Sequence, residues 1–339
     1  MRARLRSHPG RNRSCNEAAL GNSEEHGGRG LMKIVTSGSA YLDIDAYACC
    51  IAYAELLNQQ GVEACAVSSA PFNASICSTV LSWNGALARH EPGPNDTFVL
   101  VDVSDPRHFD PIVVMDRVVE IIDHHPGFEL HWAQRLGAKA DIRSIGAAAT
   151  QVFERWEASG LLPRISQQSA ALLATAILDN TLNFNSAIST PGDADAYRVL
   201  ATLAQLPGDW PAQYFLECQS SIESALTDAL KADCKRLQVS RLPEVFAQLT
   251  VWDAKGLLMR YHHTLIAWLK AQGGDSLVNL IGIVDGKSYF LADTQRSKDK
   301  LSRLISLCWE EDVAVVEPSL LRKELLALSR SADRQCPGG

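Results

Sequence analysis

No run of apolar residues in this 339-residue chain approaches the roughly 20 needed to cross a bilayer, which argues against a helical membrane protein. Cys-x-x-Cys is missing too. The nine cysteines are odd in number and scattered, which argues against a disulfide framework and fits a reducing compartment. Positive charge is not in excess. The net charge is −7, so the surface is not built to neutralise phosphates along a nucleic acid, although it leaves room for a local basic pocket. Internal repeats and low-complexity tracts are also lacking. What the chain has in quantity is apolar residues, 46% of the total. That is enough for a core in one large or two ordinary domains.

Residues 1–31 stand apart. Arg2, Arg4, Arg6, Arg11, Arg13 and Arg29 lie among Gly, Ser and Asn without apolar periodicity. The apolar stretch of a secretory signal is lacking, and the composition predicts a disordered tail. Met32 begins a strand directly, which makes 1–31 readable as a start-site artefact. A regulatory tail and an organelle-targeting segment are the rival readings of 1–31.

From Lys33 to about Thr190, short apolar runs alternate with helical segments. Strands are predicted at 33–37, 62–68, 97–103 and 118–122. Helices are predicted at 44–60, near 73–83, at 144–160 and 166–179, with another starting at Pro191-Gly192. This alternation predicts an α/β fold with a doubly wound, mostly parallel sheet. Leu206–Pro211 is the boundary candidate. Beyond it a smaller α+β block is expected. Its helices are 219–235, 254–272 and 297–307. Its strands are 245–251, 277–284, 287–292 and 311–316. The expected organisation is a tail to residue 31, a domain over 32–205, a linker over 206–218, a second domain over 219–330 and a disordered tail over 331–339.

Three strand ends carry the chemistry. Val118-Val119-Glu120-Ile121-Ile122 closes on Asp123-His124-His125. Val99-Leu100-Val101 closes on Asp102. The loop after Lys33–Ser37 holds Asp43 and Asp45. Open α/β sheets place ligands at this carboxyl edge, and so much negative charge at one rim points to divalent metal. Two ions at roughly 3.5–4 Å clamp a phosphoryl oxygen and activate a water. Without metal, desolvating those carboxylates would cost several kcal/mol per ion. Each residue alone has a plainer reading. Asp43 or Asp45 suits a helix N-cap, Asp102 suits a turn, and a His-His pair such as His262-His263 suits packing or surface. Asp179 is a fourth candidate ligand, with a helix C-terminal or turn role as its alternative.

These motifs resemble the DHH phosphoesterase superfamily over nearly all of 33–330. The carriers are Asp43-Ile44-Asp45, Asp102, Asp123-His124-His125, the Ile145-Gly146-Ala147-Ala148-Ala149-Thr150 helix start, and Asp179-Asn180-Thr181. The second block looks like that of family II inorganic pyrophosphatases and prune-like exopolyphosphatases, through Asp233-Cys234-Lys235 and, imperfectly, Leu321-Arg322-Lys323-Glu324. The nuclease branches carry a Gly-Gly-Gly-His type motif, which Gly273-Gly274-Asp275 is not.

The resemblance implies a cytoplasmic hydrolase of pyrophosphate or short-chain polyphosphate. It implies two Mn2+ (or Mg2+ or Co2+) per active site, held by Asp43, Asp45, Asp102, His124 and Asp179, with a metal-activated water as nucleophile. His125, Lys235, Arg322 and Lys323 would hold phosphate oxygens, and Asp123 would orient the imidazoles. A small phosphate-containing substrate is the expected partner. A membrane or nucleic acid is not, and a homodimer is left open. Two departures stand out. Ser39 occupies the position of a pyrophosphatase metal-binding His, and Asn180 intervenes between Asp179 and Thr181. The alternatives are a phosphodiesterase on oligonucleotides or cyclic dinucleotides, with Trp252, Tyr261 and Trp268 as stacking candidates, and a non-catalytic paralogue with a degraded metal site.

Overall fold

Five parallel strands build the first sheet of the computed structural model, which describes residues 31–239 and 241–335. They are β1 (Lys33–Thr36), β2 (Ala64–Ala66), β3 (Thr97–Val101), β4 (Val118–Asp123) and β5 (Ala140–Ile142), in the order β2-β1-β3-β4-β5. Successive side chains point to opposite faces. Ile34, Phe98, Leu100 and Ile121 therefore pack into one apolar cluster with Trp132. Their neighbours Val35, Val99, Val101 and Ile122 pack into another on the far face. Both faces are covered, which is why these strands read as continuous apolar runs.

The larger face is covered by helices α1 (Ile44–Gln59), α4 (Ala148–Ala158), α5 (Gln167–Asn180) and α6 (Pro191–Ala204). The short α2 (Ser78–Ser82) adds Val80 to that cluster, and α3 (Glu129–Leu136) places Trp132 on the other face. Helix α1 is buried on nearly all sides, as a helix apolar all round must be.

Helices α7 (Trp210–Ser224) and α8 (Leu226–Asp233) lead into a second, mixed sheet. Its strands are β6 (Lys235–Arg236), β7 (Val245–Val251), β8 (Ser276–Gly282), β9 (Lys287–Leu291), β10 (Trp309–Glu310) and β11 (Val313–Val316), in the order β10-β11-β9-β8-β7-β6. Only β7 and β8 are parallel among them. Helices α9 (Ala254–Ala271), α10 (Gln295–Ser302) and α11 (Arg322–Gln335) complete this block. The α/β class, with a doubly wound parallel sheet and a smaller mixed α+β block, is as expected.

Some local expectations change. The segment 206–218, read as a linker, is helical from Trp210, because Pro211 sits in the first turn, where its missing N–H costs nothing. The predicted helix 219–235 is therefore the end of α7 and α8, with Ala225 at φ −145° between them. Helix α11 runs to Gln335, past residue 330 where the second domain was expected to end. The expected tail 1–31 lies outside the described residues except for Leu31, as do residues 336–339 of the expected C-terminal tail.

The strand order reverses between β1 and β3. Doubly wound sheets open a crevice at the carboxyl ends of the strands on either side of such a point. The loops leaving β1, β3 and β4 carry Asp43 and Asp45, Asp102, and His124 and His125.

Candidate active site

Three acids at this rim, Asp43, Asp45 and Asp123, accept hydrogen bonds from backbone N–H groups. Asp43 caps α1, its Oδ1 accepting from Ala46 N–H at 3.0 Å. Asp45 is wholly buried and accepts from Ala148 N–H (2.9 Å) and Ala149 N–H (2.8 Å), the first turn of α4. Asp102 takes φ +56°, a left-handed conformation that Asp tolerates better than most residues. Asp123 Oδ1 accepts from the backbone N–H of His124 (2.8 Å) and His125 (3.1 Å) and faces His125 Nδ1 at 2.9 Å.

His124 is buried, with Nδ1 3.2 Å from the Ile145 carbonyl. A carbonyl only accepts, so Nδ1 carries the hydrogen and Nε2 keeps its lone pair. That lone pair lies 3.2 Å from Asp102 Oδ1 and 3.7 Å from Asp45 Oδ2. Yet His124 Nε2, Asp102 Oδ1 and Asp123 Oδ2 have no hydrogen-bond partner. Buried polar atoms are rarely left so. Acceptors facing each other at this distance need a cation or a shared proton between them. Among the described residues, only Asp102, His124 and His125 offer three ligand atoms all within 4.8 Å of one another. The donor set of carboxylate oxygen and imidazole nitrogen fits a divalent ion such as manganese. It also draws in His125, which the resemblance had given to phosphate. Asp43 and Asp179 stand outside this trio but line the adjoining cavity.

Burial, then the Asp43 charge, pushes the Asp45 carboxyl up to about 7. Burial likewise lifts Asp179 to about 7 and holds Asp102 well above the carboxylate range. The same burial drives His124 well below the usual imidazole value, which keeps it neutral. A folded carboxyl near 7 against an unfolded value of about 4 contributes stability that is present at low pH and lost as pH rises through 7. The metal-free chain should therefore lose thermal stability between about pH 4 and 7. Saturating manganese, which displaces those protons, should give a melting-point gain that grows across the same window. Melting scans with and without metal check this, and a gain independent of pH would contradict it.

The cavity, of about 170 Å³, is lined by acids of the first block and cations of the second. Lys235 is on β6. Arg322 and Lys323 begin α11, where the helix dipole disfavours cations. That placement costs stability and makes sense for an anion held there. Arg322 is buried, its Nη1 bonded to Asp233 Oδ1 (2.8 Å), Asp233 O (2.8 Å) and Phe246 O (3.0 Å). Lys323 Nζ donates to Asn180 Oδ1 at 3.3 Å, so Asn180 meets the cation while Asp179 accepts from Tyr214 OH at 2.9 Å.

Ser39 is not among the cavity-lining residues. Its hydroxyl faces the His108 carbonyl at 3.4 Å. His262 pairs with Asp312 at 3.0 Å, away from the site. Trp252, Tyr261 and Trp268 pack on apolar clusters. Sequence reasoning missed Asp193, whose buried carboxylate accepts from Gly146 N–H and Thr150 Oγ1 and so holds the turn that feeds α4. The capping-box pattern Thr190-x-x-Asp193 was the available signal. Tyr41 and Tyr214 gave none.

No family model matches the sequence. The chain is 24% identical over 300 residues to a probable manganese-dependent inorganic pyrophosphatase of Bacillus pumilus, covering 86% of this chain and 96% of that protein. It is 24% identical over 234 residues to the Bacillus licheniformis protein of the same description, covering 68% and 74%. A cobalt-dependent inorganic pyrophosphatase of Clostridium perfringens matches at 28% over 142 residues, 42% of this chain and 25% of that one. In fold, the chain is similar to a Methanococcus jannaschii protein assigned to the family II inorganic pyrophosphatases, with a TM-score of 0.64 at 19% identity over 88% of this chain and all of that one. The relatives, the shared fold and the motifs at the sheet rim together support the DHH phosphoesterase superfamily for this chain, with proteins named as manganese-dependent inorganic pyrophosphatases among its relatives.

Proposed function

We propose that the chain hydrolyses the phosphoanhydride of inorganic pyrophosphate or short polyphosphate with manganese or a similar divalent ion. The observation that carries this reading is the pair of facing, unpartnered acceptors, Asp102 Oδ1 and His124 Nε2, beside a cavity walled by Lys235, Arg322 and Lys323. Asp43, Asp45, Asp102, His124 and Asp179 would hold two ions, with His125 at the edge of the set. Bound there, divalent ions supply the charge that activates a water and neutralises a phosphoanhydride.

The chain's own residues do the rest. Asp45, clamped by two N–H groups of α4, and His124, fixed through Nδ1, keep the donors in place before substrate arrives. Asp123 anchors His125 through Nδ1, which leaves Nε2 as that ring's other polar atom for the substrate. Lys235, Arg322 and Lys323 neutralise phosphate oxygens as negative charge moves to the leaving group. Asp179, not Asn180, is the ligand in this reading, because the Asn180 oxygen is taken by Lys323.

The test is phosphate release from pyrophosphate and tripolyphosphate with added manganese. Turnover of either is expected. A chain that binds manganese and hydrolyses neither would overturn the assignment.

A further inference from the structure

Tyr41 lies two residues before Asp43 and belongs to none of the motifs above. Its hydroxyl oxygen accepts from Arg322 Nη2 at 2.9 Å. Its ring lies under the Lys235 ammonium, 5.0 Å from the centroid, within cation–π range. Tyr41, Asp43, His125, Lys235 and Arg322 line one cavity, so the phenol stands where the acidic rim meets the cationic wall. A phenol that accepts from Arg322 still has its own hydrogen to give, and no described residue accepts it. A phenol keeps its hydrogen at neutral pH.

A purely structural role asks less of this position. The Lys235 contact needs only the ring, and Arg322 is already held by Asp233 and Phe246. The hydroxyl adds one donor directed by a guanidinium that faces the same cavity. We propose that Tyr41 is a phosphate-binding residue, its hydroxyl donating a hydrogen bond to a phosphoryl oxygen held between Lys235 and Arg322. The proposal rests on the phosphoanhydride reading of the site and adds a neutral donor to its charged ones. A neutral donor adds orientation without adding charge, and a phosphoryl oxygen accepts such a bond readily.

The experiment measures imidodiphosphate binding to the manganese-loaded full chain by calorimetry. It compares the wild type, Tyr41→Phe, Arg322→Lys and the double variant. Tyr41→Phe keeps the ring and should weaken binding about tenfold, with manganese binding and melting point unchanged. The same loss should persist in the Arg322→Lys background. Unchanged affinity in Tyr41→Phe, or a loss that vanishes beside Arg322→Lys, would overturn the direct contact. Wild-type protein that binds imidodiphosphate, weakened in Tyr41→Phe, but hydrolyses no anhydride would overturn the enzymatic reading and uphold this donor. Wild-type protein that binds neither imidodiphosphate nor inorganic phosphate would overturn both.

Discussion

Asp102→Asn should lower manganese-dependent hydrolysis by about a thousandfold while making the metal-free chain more stable. Asn matches Asp in size and tolerates the φ of +56° found there, so the change removes charge and little else. The Oδ1 atom of Asp102 has no hydrogen-bond partner to lose. Burial, together with the Asp45, Asp43 and Asp123 charges, already disfavours its anion. A neutral amide relieves that repulsion, and a gain of about 1 kcal/mol is expected without metal. With metal the sign reverses, because a neutral ligand has lost the attraction that outweighed repulsion. Melting scans with and without manganese, read beside phosphate release, show both halves. A variant that keeps manganese-dependent turnover would remove Asp102 from the metal site.

Asp193→Ala should destabilise the chain by about 3 kcal/mol and weaken manganese binding about tenfold, without touching a ligand. The Asp193 carboxylate is fully buried and accepts four hydrogen bonds: Gly146 N (3.1 Å), Thr150 Oγ1 (2.5 Å), Thr190 N (2.7 Å) and Thr190 Oγ1 (2.8 Å). It ties the start of α6 to the start of α4. That same end of α4 presents Ala148 and Ala149 N–H to Asp45. Without Asp193, four donors are orphaned and the clamp on Asp45 loosens. Gly146→Ala attacks the same joint from the other side, since an added Cβ would lie 2.5 Å from Asp193 Oδ2 and 2.7 Å from Thr181 Cγ2. Urea unfolding and manganese calorimetry on both variants should move together. A destabilised Asp193→Ala with unchanged metal affinity would show that the joint supports the fold alone.

The first sheet was legible where strands are apolar on both faces and end in charge. β1, β3 and β4 satisfy both conditions, so their ends pointed to one rim. β5 was not legible, because its three residues, Ala140-Asp141-Ile142, are only half-buried and too few to show a period. α7 was hidden because Pro207, Gly208 and Pro211 read as a boundary, although Pro211 suits a helix start. In the site, residue types and spacing pointed to Asp102 and His124. What spacing does not carry is the support behind them. Asp193 reaches back 47 residues to Gly146, and Tyr41 meets Arg322 across 281. Such contacts come from how α4, α6 and the second block pack, and no local pattern encodes them. Helix α11 shows the same limit, since nothing local in Leu321-Arg322-Lys323-Glu324 marks Arg322 as buried.

The most direct measurement is manganese retained by the purified full chain after loading and gel filtration near pH 7.5, read by electron paramagnetic resonance. Two ions per chain with a spin-coupled spectrum are expected, the coupling arising from shared ligands only a few ångströms apart. A chain that retains no manganese at that pH, while remaining folded, would contradict the claim that these acids and imidazoles form a metal centre.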